Sequence, residues 1–207
     1  MKELDINTWN RKQHFDHYMT LADPFFAVTV EVDVTKMYQL AKKTNTTFFA
    51  RYLHACMIAI NSIENFRYRI IEDKIYIYDE IAASATIARP DHTYGFSFIY
   101  FSPDFETFNT NFLREKERIV NSTDLFPPVN SKDCIYCSAI PWINFKGHKE
   151  TFAGDVKDSI PRLAFGKVVR TQNSLMMPLA IAVNHALVDG HHVGLFIDEF
   201  QNNLLKI

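Results

Sequence analysis

LAIAVNHALVDGHHVGLFIDEFQ, residues 179–201, reads as three pieces joined without a gap. Residues 179–183 are apolar throughout and predict a buried strand. Asn184-His185 stand at its end, and Asp189-Gly190 follow. Val193, Phe196, Ile197, Phe200 and Leu204 then share one helical face, which predicts a helix over 191–204. A histidine at the end of a buried strand has core on one side and solvent on the other. Partial desolvation disfavours a charged imidazole, so the position suits a general base. Gly190 permits a sharp turn into the helix. Asp189 can cap that helix, orient the loop or pair with a cation. On pattern alone the alternative is a core histidine with its hydrogen bonds satisfied, because short motifs match by chance. His191 and His192 are first-turn helix residues and not metal ligands, since adjacent side chains diverge.

Upstream, residues 10–21 predict a short amphipathic helix with Phe15 and Tyr18 on one face, broken by Asp23-Pro24. Residues 25–34 alternate into a strand, with Phe26, Val28, Val30 and Val32 on one side. Thr35 is a candidate cap for a helix to Lys43. Residues 47–62, apolar nearly all round, predict a buried helix. Strands are expected at 66–71, 74–78, 82–88, 93–101, 134–140, 163–170 and 176–183. A helix opens at Pro103 and runs to Val120; its charge run, Arg114 to Arg118, reads as a solvated face. Pro127-Pro128 marks a loop. Helices and strands are interspersed without regular βαβ alternation. That predicts an α/β (α+β) two-layer sandwich, a mixed sheet covered by helices, over a single domain of residues 1–207.

Composition narrows the function. Apolar residues make up 47% and charged residues 22% of the chain, which excludes a disordered polymer. With a net charge of −2 there is no basic excess for phosphates, so nucleic acid is not an expected partner. The 18 phenylalanines need a thick core, an aromatic pocket or a buried subunit interface. The start of the chain, MKELDINTWNRKQHF, has no apolar signal region, and the most apolar run, 175–183, is about half of a membrane span. A cytoplasmic protein with no membrane partner is the expectation. Cys56, Cys134 and Cys137 fit a reducing compartment; Cys134 and Cys137 form one C-x-x-C inside a predicted strand, where buried structural thiols are favoured over zinc. No glycine-rich phosphate loop occurs.

The His185-x-x-x-Asp189-Gly190 motif does not stand alone. Trp9-Asn10-Arg11-Lys12-Gln13-His14-Phe15, the run TVEVDVT at 29–35, Phe66-Arg67, SAIPWINF at 138–145, Gly166-Lys167 and MPLAI at 177–181 recur in one order. Together they resemble the chloramphenicol acetyltransferases, within the wider CoA-dependent acyltransferases. The resemblance spans nearly the whole chain. It implies the CoA-dependent acyltransferase fold and an enzyme that transfers acetyl from acetyl-CoA to a hydroxyl on a small, chloramphenicol-like acceptor, an antibiotic-resistance chemistry. It implies a homotrimer with active sites between subunits and no metal. Residue by residue, it puts His185 on the catalytic base, Asp189 on the aspartate that holds the loop, and Arg11 on its partner. Lys167 falls near the CoA phosphates, and Tyr18, Phe26 and Phe96 fall on the acceptor pocket.

Four positions depart from the family pattern. Asn184 replaces a histidine that is not the base. Gly147 stands where a serine donates to the tetrahedral oxyanion, Ala164 where a threonine supports that region, and Pro24 where a pocket cysteine lies. The oxyanion support and the acceptor are thereby altered more than CoA binding. Two other readings remain open: a dihydrolipoamide-type acyltransferase, which shares H-x-x-x-D-G, and a non-catalytic CoA or small-molecule binder on the same fold.

Overall fold

A computed structural model describes residues 1–151 and 154–206. In chain order the elements are β1 (Lys2–Glu3), α1 (Lys12–Tyr18), β2 (Phe25–Asp33), α2 (Thr35–Lys43), α3 (Phe48–Ser62), a tight helical turn (Glu64–Arg67), β3 (Tyr68–Ile71), β4 (Lys74–Ile77), β5 (Ala82–Ala88), β6 (Tyr94–Phe96), α4 (Phe105–Val120), β7 (Cys134–Ile140), β8 (Arg162–Gly166), β9 (Val169–Arg170), β10 (Leu175–Asn184) and α5 (Gly190–Leu205). The main sheet runs β2-β10-β8-β7-β5-β6, with β9 beside the start of β10. It is mixed, as expected: β5–β7 and β7–β8 are parallel and the other pairs antiparallel. A small antiparallel sheet, β1-β4-β3, flanks it.

The register sorts the side chains onto two faces. Val28 opposite Ile181, Leu179 opposite Phe165 and Cys137 opposite Leu163 lie on one face. That face packs under α3 and α5, where Leu53, Met57, Phe196 and Phe200 are fully buried. Ring contacts of Phe165 with Tyr52 and with Phe200 join the sheet to both helices. Each such side chain contributes roughly 1.5–3 kcal/mol through burial. The other face carries small or polar residues: Ala27 opposite Ala182, Ala164 opposite Ala180, and Ser84, Tyr136 and Arg162 in one cross-strand row. The chain after β7 crosses part of this face, where Phe145 packs on Ala164 and Ala180.

Four predicted elements differ. The helix expected over 10–21 is regular only over Lys12–Tyr18, because Thr20 and Leu21 bond back to His17 and Tyr18 in tight three-residue turns. Val34, not Thr35, occupies the cap of α2; Thr35 is its first residue and its hydroxyl accepts from Leu175 N–H at 2.8 Å. The strand expected over 93–101 is regular only over Tyr94–Phe96: Ser97 and Ile99 N–H still bond β5, but Ala85 N–H goes to the Ser97 hydroxyl at 3.1 Å, and on the other side Phe98 N–H bonds the Glu115 carboxylate at 2.8 Å. The strand expected over 163–170 splits at Lys167, whose N–H turns aside to Ile143 O at 2.9 Å.

The charge run on α4 is also not wholly solvated. Glu115 is buried and ion-paired with Arg118 at 2.9 Å. All three cysteines are buried and unpaired, and burial pushes the Cys134 thiol up to about 12, which makes it inert at neutral pH. Among the described residues no helix is long and apolar enough to cross a membrane, and no group of three or more His, Cys, Asp or Glu could hold a metal.

Candidate active site

β10 aims His185. The strand pairs with β2 from Met176 to Asn184 and is flanked on its other side by β8, so its end has little freedom. His185 N–H extends the ladder by donating to Pro24 O at 2.9 Å. The chain then turns: Leu187 and Val188 N–H donate to Asn184 O at 3.1 and 3.0 Å, and Asn65 Nδ2 donates to Leu187 O at 3.0 Å.

Asn184 does more than precede the histidine. Its Oδ1 accepts from Ala186 N–H at 3.0 Å, and its Nδ2 donates to the carbonyls of Val156 and Asp158 at 3.2 and 2.9 Å. The side chain is buried and satisfied. It ties the His185 turn to the segment ahead of β8. The sequence reading treated Asn184 only as a departure; a polar amide closing an apolar strand was the available signal.

Asp189 fixes the other end of the turn. It is the N-cap of α5, with Oδ1 accepting from His191 N–H at 3.0 Å and His192 N–H at 3.4 Å. His192 Nδ1 reaches back to accept from Asp189 N–H at 3.1 Å, completing a reciprocal cap. Burial pushes His192 below the usual imidazole value despite the neighbouring carboxylate, which agrees with a neutral ring that accepts at Nδ1. Asp189 Oδ2 is ion-paired with Arg11 Nη1, the two side chains being 30% and 12% exposed. Burial works to raise the Asp189 carboxyl, but the hydrogen bond and charge of Arg11, with the His192 backbone N–H, outweigh it and hold the group below its usual value. Arg11 Nε and Nη2 are buried with no hydrogen-bond partner among the described residues.

Two of the three predicted aromatics enclose the histidine. Tyr18 stacks on the His185 ring at 4.0 Å between centroids, and Phe26 lies against it at 4.4 Å, tilted by 41°. His185 Nδ1 is buried with no hydrogen-bond partner among the described residues.

The third aromatic, Phe96, is elsewhere. It packs on Phe126 at 5.5 Å in the wall of a cavity of about 430 Å³ that also includes Ser84, Tyr136, Glu150 and Arg162. A second, more apolar cavity of about 550 Å³ is lined by Phe112, Ile140 and Trp142 and shares Thr86, Ser138 and Glu150 with the first. His185 lines neither of these two cavities. Within this one chain the predicted residues therefore form two groups.

Of the remaining predicted positions, Ala164, Gly147 and Lys167 lie near the second group and Pro24 lies with the first. Ala164 is fully buried beneath Phe145 and offers no hydroxyl. Gly147 is exposed, and a Cβ built on it would meet nothing within 4 Å. Lys167 is exposed and bonded through its N–H to Ile143, the neighbour of Trp142. Pro24 contributes its carbonyl to His185 N–H, a role any residue can fill. The Asp158–Arg162 pair in the first cavity was missed, because the predicted strand began at Leu163 and left a charged residue outside it.

Comparison with known proteins identifies the family. The family model described as chloramphenicol acetyltransferase matches residues 1–201. A chloramphenicol acetyltransferase of Clostridioides difficile is 30% identical, covering 99% of this chain and 96% of the relative. One of Campylobacter coli is 31% identical, covering 99% and 98%. A solved chloramphenicol acetyltransferase superposes with a TM-score of 0.87 at 27% identity, covering 97% of this chain and 98% of that one. A dihydrolipoamide acetyltransferase of Azotobacter vinelandii superposes with a TM-score of 0.70 at 15% identity, covering 91% and 84%, a likeness of fold.

Proposed function

On the premise that this chain belongs to the chloramphenicol acetyltransferase family, an acyltransferase family, we propose that it moves an acetyl group from acetyl-CoA to a hydroxyl of a chloramphenicol-like acceptor, with His185 as general base. The observation that carries the assignment of the base is the confinement of His185: stacked between Tyr18 and Phe26, on a turn locked by Asn184 and by the Asp189–Arg11 pair. An alcohol is a weak nucleophile without a base, and a base works only when held in place.

His185 takes the proton of the acceptor hydroxyl as its oxygen attacks the thioester carbon. A C–O bond forms, the C–S bond breaks, and the same proton passes to the departing thiolate. The transfer is direct, with both substrates bound and no acyl-enzyme. Asp189 and Arg11 position the turn and relay no proton. The paired cavities suit the two substrates: the apolar groove beside Trp142 fits a thin pantetheine arm, and Lys167, whose backbone joins that of Ile143 next to Trp142, is the cation assigned to the phosphates.

The separation of His185, Tyr18 and Phe26 from Phe96 supports a site completed between copies of the chain, a homotrimer in which one subunit's histidine faces the next subunit's cavity. Light scattering of the purified chain tests the assembly; a monomer at micromolar concentration would leave the site incomplete. A non-catalytic binder is the second reading, favoured by the bare Gly147 and the buried Ala164, which offer no hydroxyl to an oxyanion.

CoA-thiol release from acetyl-CoA with chloramphenicol as acceptor decides between them. Wild type turns over, and His185→Ala loses turnover while its CoA affinity stays within about threefold by calorimetry. Turnover retained in His185→Ala removes the base. CoA binding without turnover under any acceptor supports the binder.

A further inference from the structure

The 430 Å³ cavity is charged in a way that the acetyl-transfer chemistry does not use. Its sheet wall is the row Ser84, Tyr136 and Arg162, neighbours across β5, β7 and β8. Arg162 is buried, ion-paired with Asp158 Oδ2, and lies over the Phe25 ring at 4.5 Å. These two charges compensate each other. Glu150 is the other charged residue of the wall, its side chain 22% exposed. Its Oε1 meets His148 Nε2 at 2.9 Å, and its Oε2 has no hydrogen-bond partner among the described residues. Lys116 lines the neighbouring groove, as Glu150 also does, but pairs with no carboxylate among the described residues. Among the described residues only His148 meets Glu150, which leaves Oε2 open to a cationic ligand, and Phe96 with Phe126 adds an aromatic surface to the same cavity.

A carboxylate beside aromatic rings in a partly desolvated cavity is the chemistry that selects an alkylammonium. A neutral ligand of the same shape returns to Glu150 at most a hydroxyl hydrogen bond, without the opposite charge of an ammonium. We propose that the preferred acceptor is an amino alcohol, whose ammonium is held by Glu150 against the Phe96–Phe126 wall while its hydroxyl is acetylated. The word acceptor rests on the acetyltransferase reading above; the ligand's charge does not. Ammonium held by a carboxylate keeps its proton and has no lone pair to attack the thioester. The product is therefore the O-acetyl ester with its amine intact: one C–O bond formed, one C–S bond broken, and the hydroxyl proton passed to the thiolate.

Calorimetry on the full chain with a phenyl aminopropanediol and the matching phenyl propanediol tests the charge selection without turnover. Wild type is expected to bind the amine about 10-fold or more tightly than its deaminated partner, and Glu150→Gln to lose that preference while binding the diol unchanged. Equal affinity for the two ligands, binding of neither, or a preference that survives Glu150→Gln overturns the proposal; the wild-type comparison stands by itself if the variant does not fold. CoA release with both ligands is read in parallel. Preference for the amine without CoA release in any assay sinks the acetyltransferase reading alone, whereas release with the diol but no charge preference sinks this inference alone.

Discussion

The Tyr18 phenol ring lies flat on the His185 imidazole, centroids 4.0 Å apart and planes 9° from parallel. Two helical turns earlier, at the start of α1, Arg11 pairs with Asp189. Residues spaced by two turns share a helix face, so one short helix grips the histidine's turn at both ends.

Removing the stack should loosen the base without removing it. Tyr18→Ala is expected to lower kcat about 10- to 100-fold, and Tyr18→Phe to stay near wild type, because the ring face and not the hydroxyl does the holding. Steady-state kinetics with a fixed acceptor check this. Equal loss in both variants would show that the hydroxyl acts on substrate instead.

Breaking the Arg11–Asp189 pair should cost both activity and stability. The pair is only partly buried, so about 2 kcal/mol is expected for Arg11→Ala, between the values for surface and fully buried pairs. Asp189→Asn removes the negative partner instead but keeps an amide oxygen able to accept from Arg11 and to cap α5, so its loss should be smaller. Chemical denaturation measures both. Wild-type stability in Arg11→Ala would mean that water already serves Asp189.

Gly147→Ser is expected to accelerate acetyl transfer to chloramphenicol about 10-fold or more, because a hydroxyl donor near a developing oxyanion is worth about 10²–10³ in rate. The position is exposed, and nothing lies within 4 Å of the new Cβ, so folding should not suffer. No gain in kcat would indicate that a backbone N–H or His148 already supplies the donor.

Stability should fall as pH drops from about 6.5 toward 5. Burial holds His54 and His192 below the usual imidazole value of 6.5, so in that window the unfolded chain binds protons that the folded chain refuses. His192 faces Asp189, Arg11 and His191; His54 faces Ser102, Arg51 and Asp104. His192→Gln keeps a side chain able to complete the cap on Asp189, so it should flatten part of the slope in melting temperature. Asp189, whose carboxyl is held below 3.8, adds its own loss only as pH falls below that value.

Much of this structure could be read ahead of the coordinates, for identifiable reasons. β5 and β7 fall where the pattern put them, because apolar runs bounded by turn residues admit one length. The His185 turn was legible because strand, Asp-Gly and amphipathic helix adjoin in sequence. What escaped was set by distant partners. Phe98 could not declare that its N–H bonds Glu115, although Phe108, Phe112, Glu115 and Ile119 share one helical face and the spacing hinted at it. Asn184 showed a polar amide closing an apolar strand, but not that it reaches the carbonyls ahead of β8. Nor could Phe96 be told apart from Tyr18 and Phe26, since residue type does not encode which cavity a ring enters.

β10 sits between β2 and β8, and its last peptide leads directly to His185, whereas Glu150 rides on the loop that crosses the sheet. With His185 as the proposed base and Glu150 as the proposed selector, chemistry and acceptor choice are inherited from different kinds of chain. A descendant can rewrite the loop, trading one acceptor for another, without disturbing the strand that aims the base. Innovation in such a molecule should accumulate in the covering loop, while the central strand admits only changes that preserve its direction.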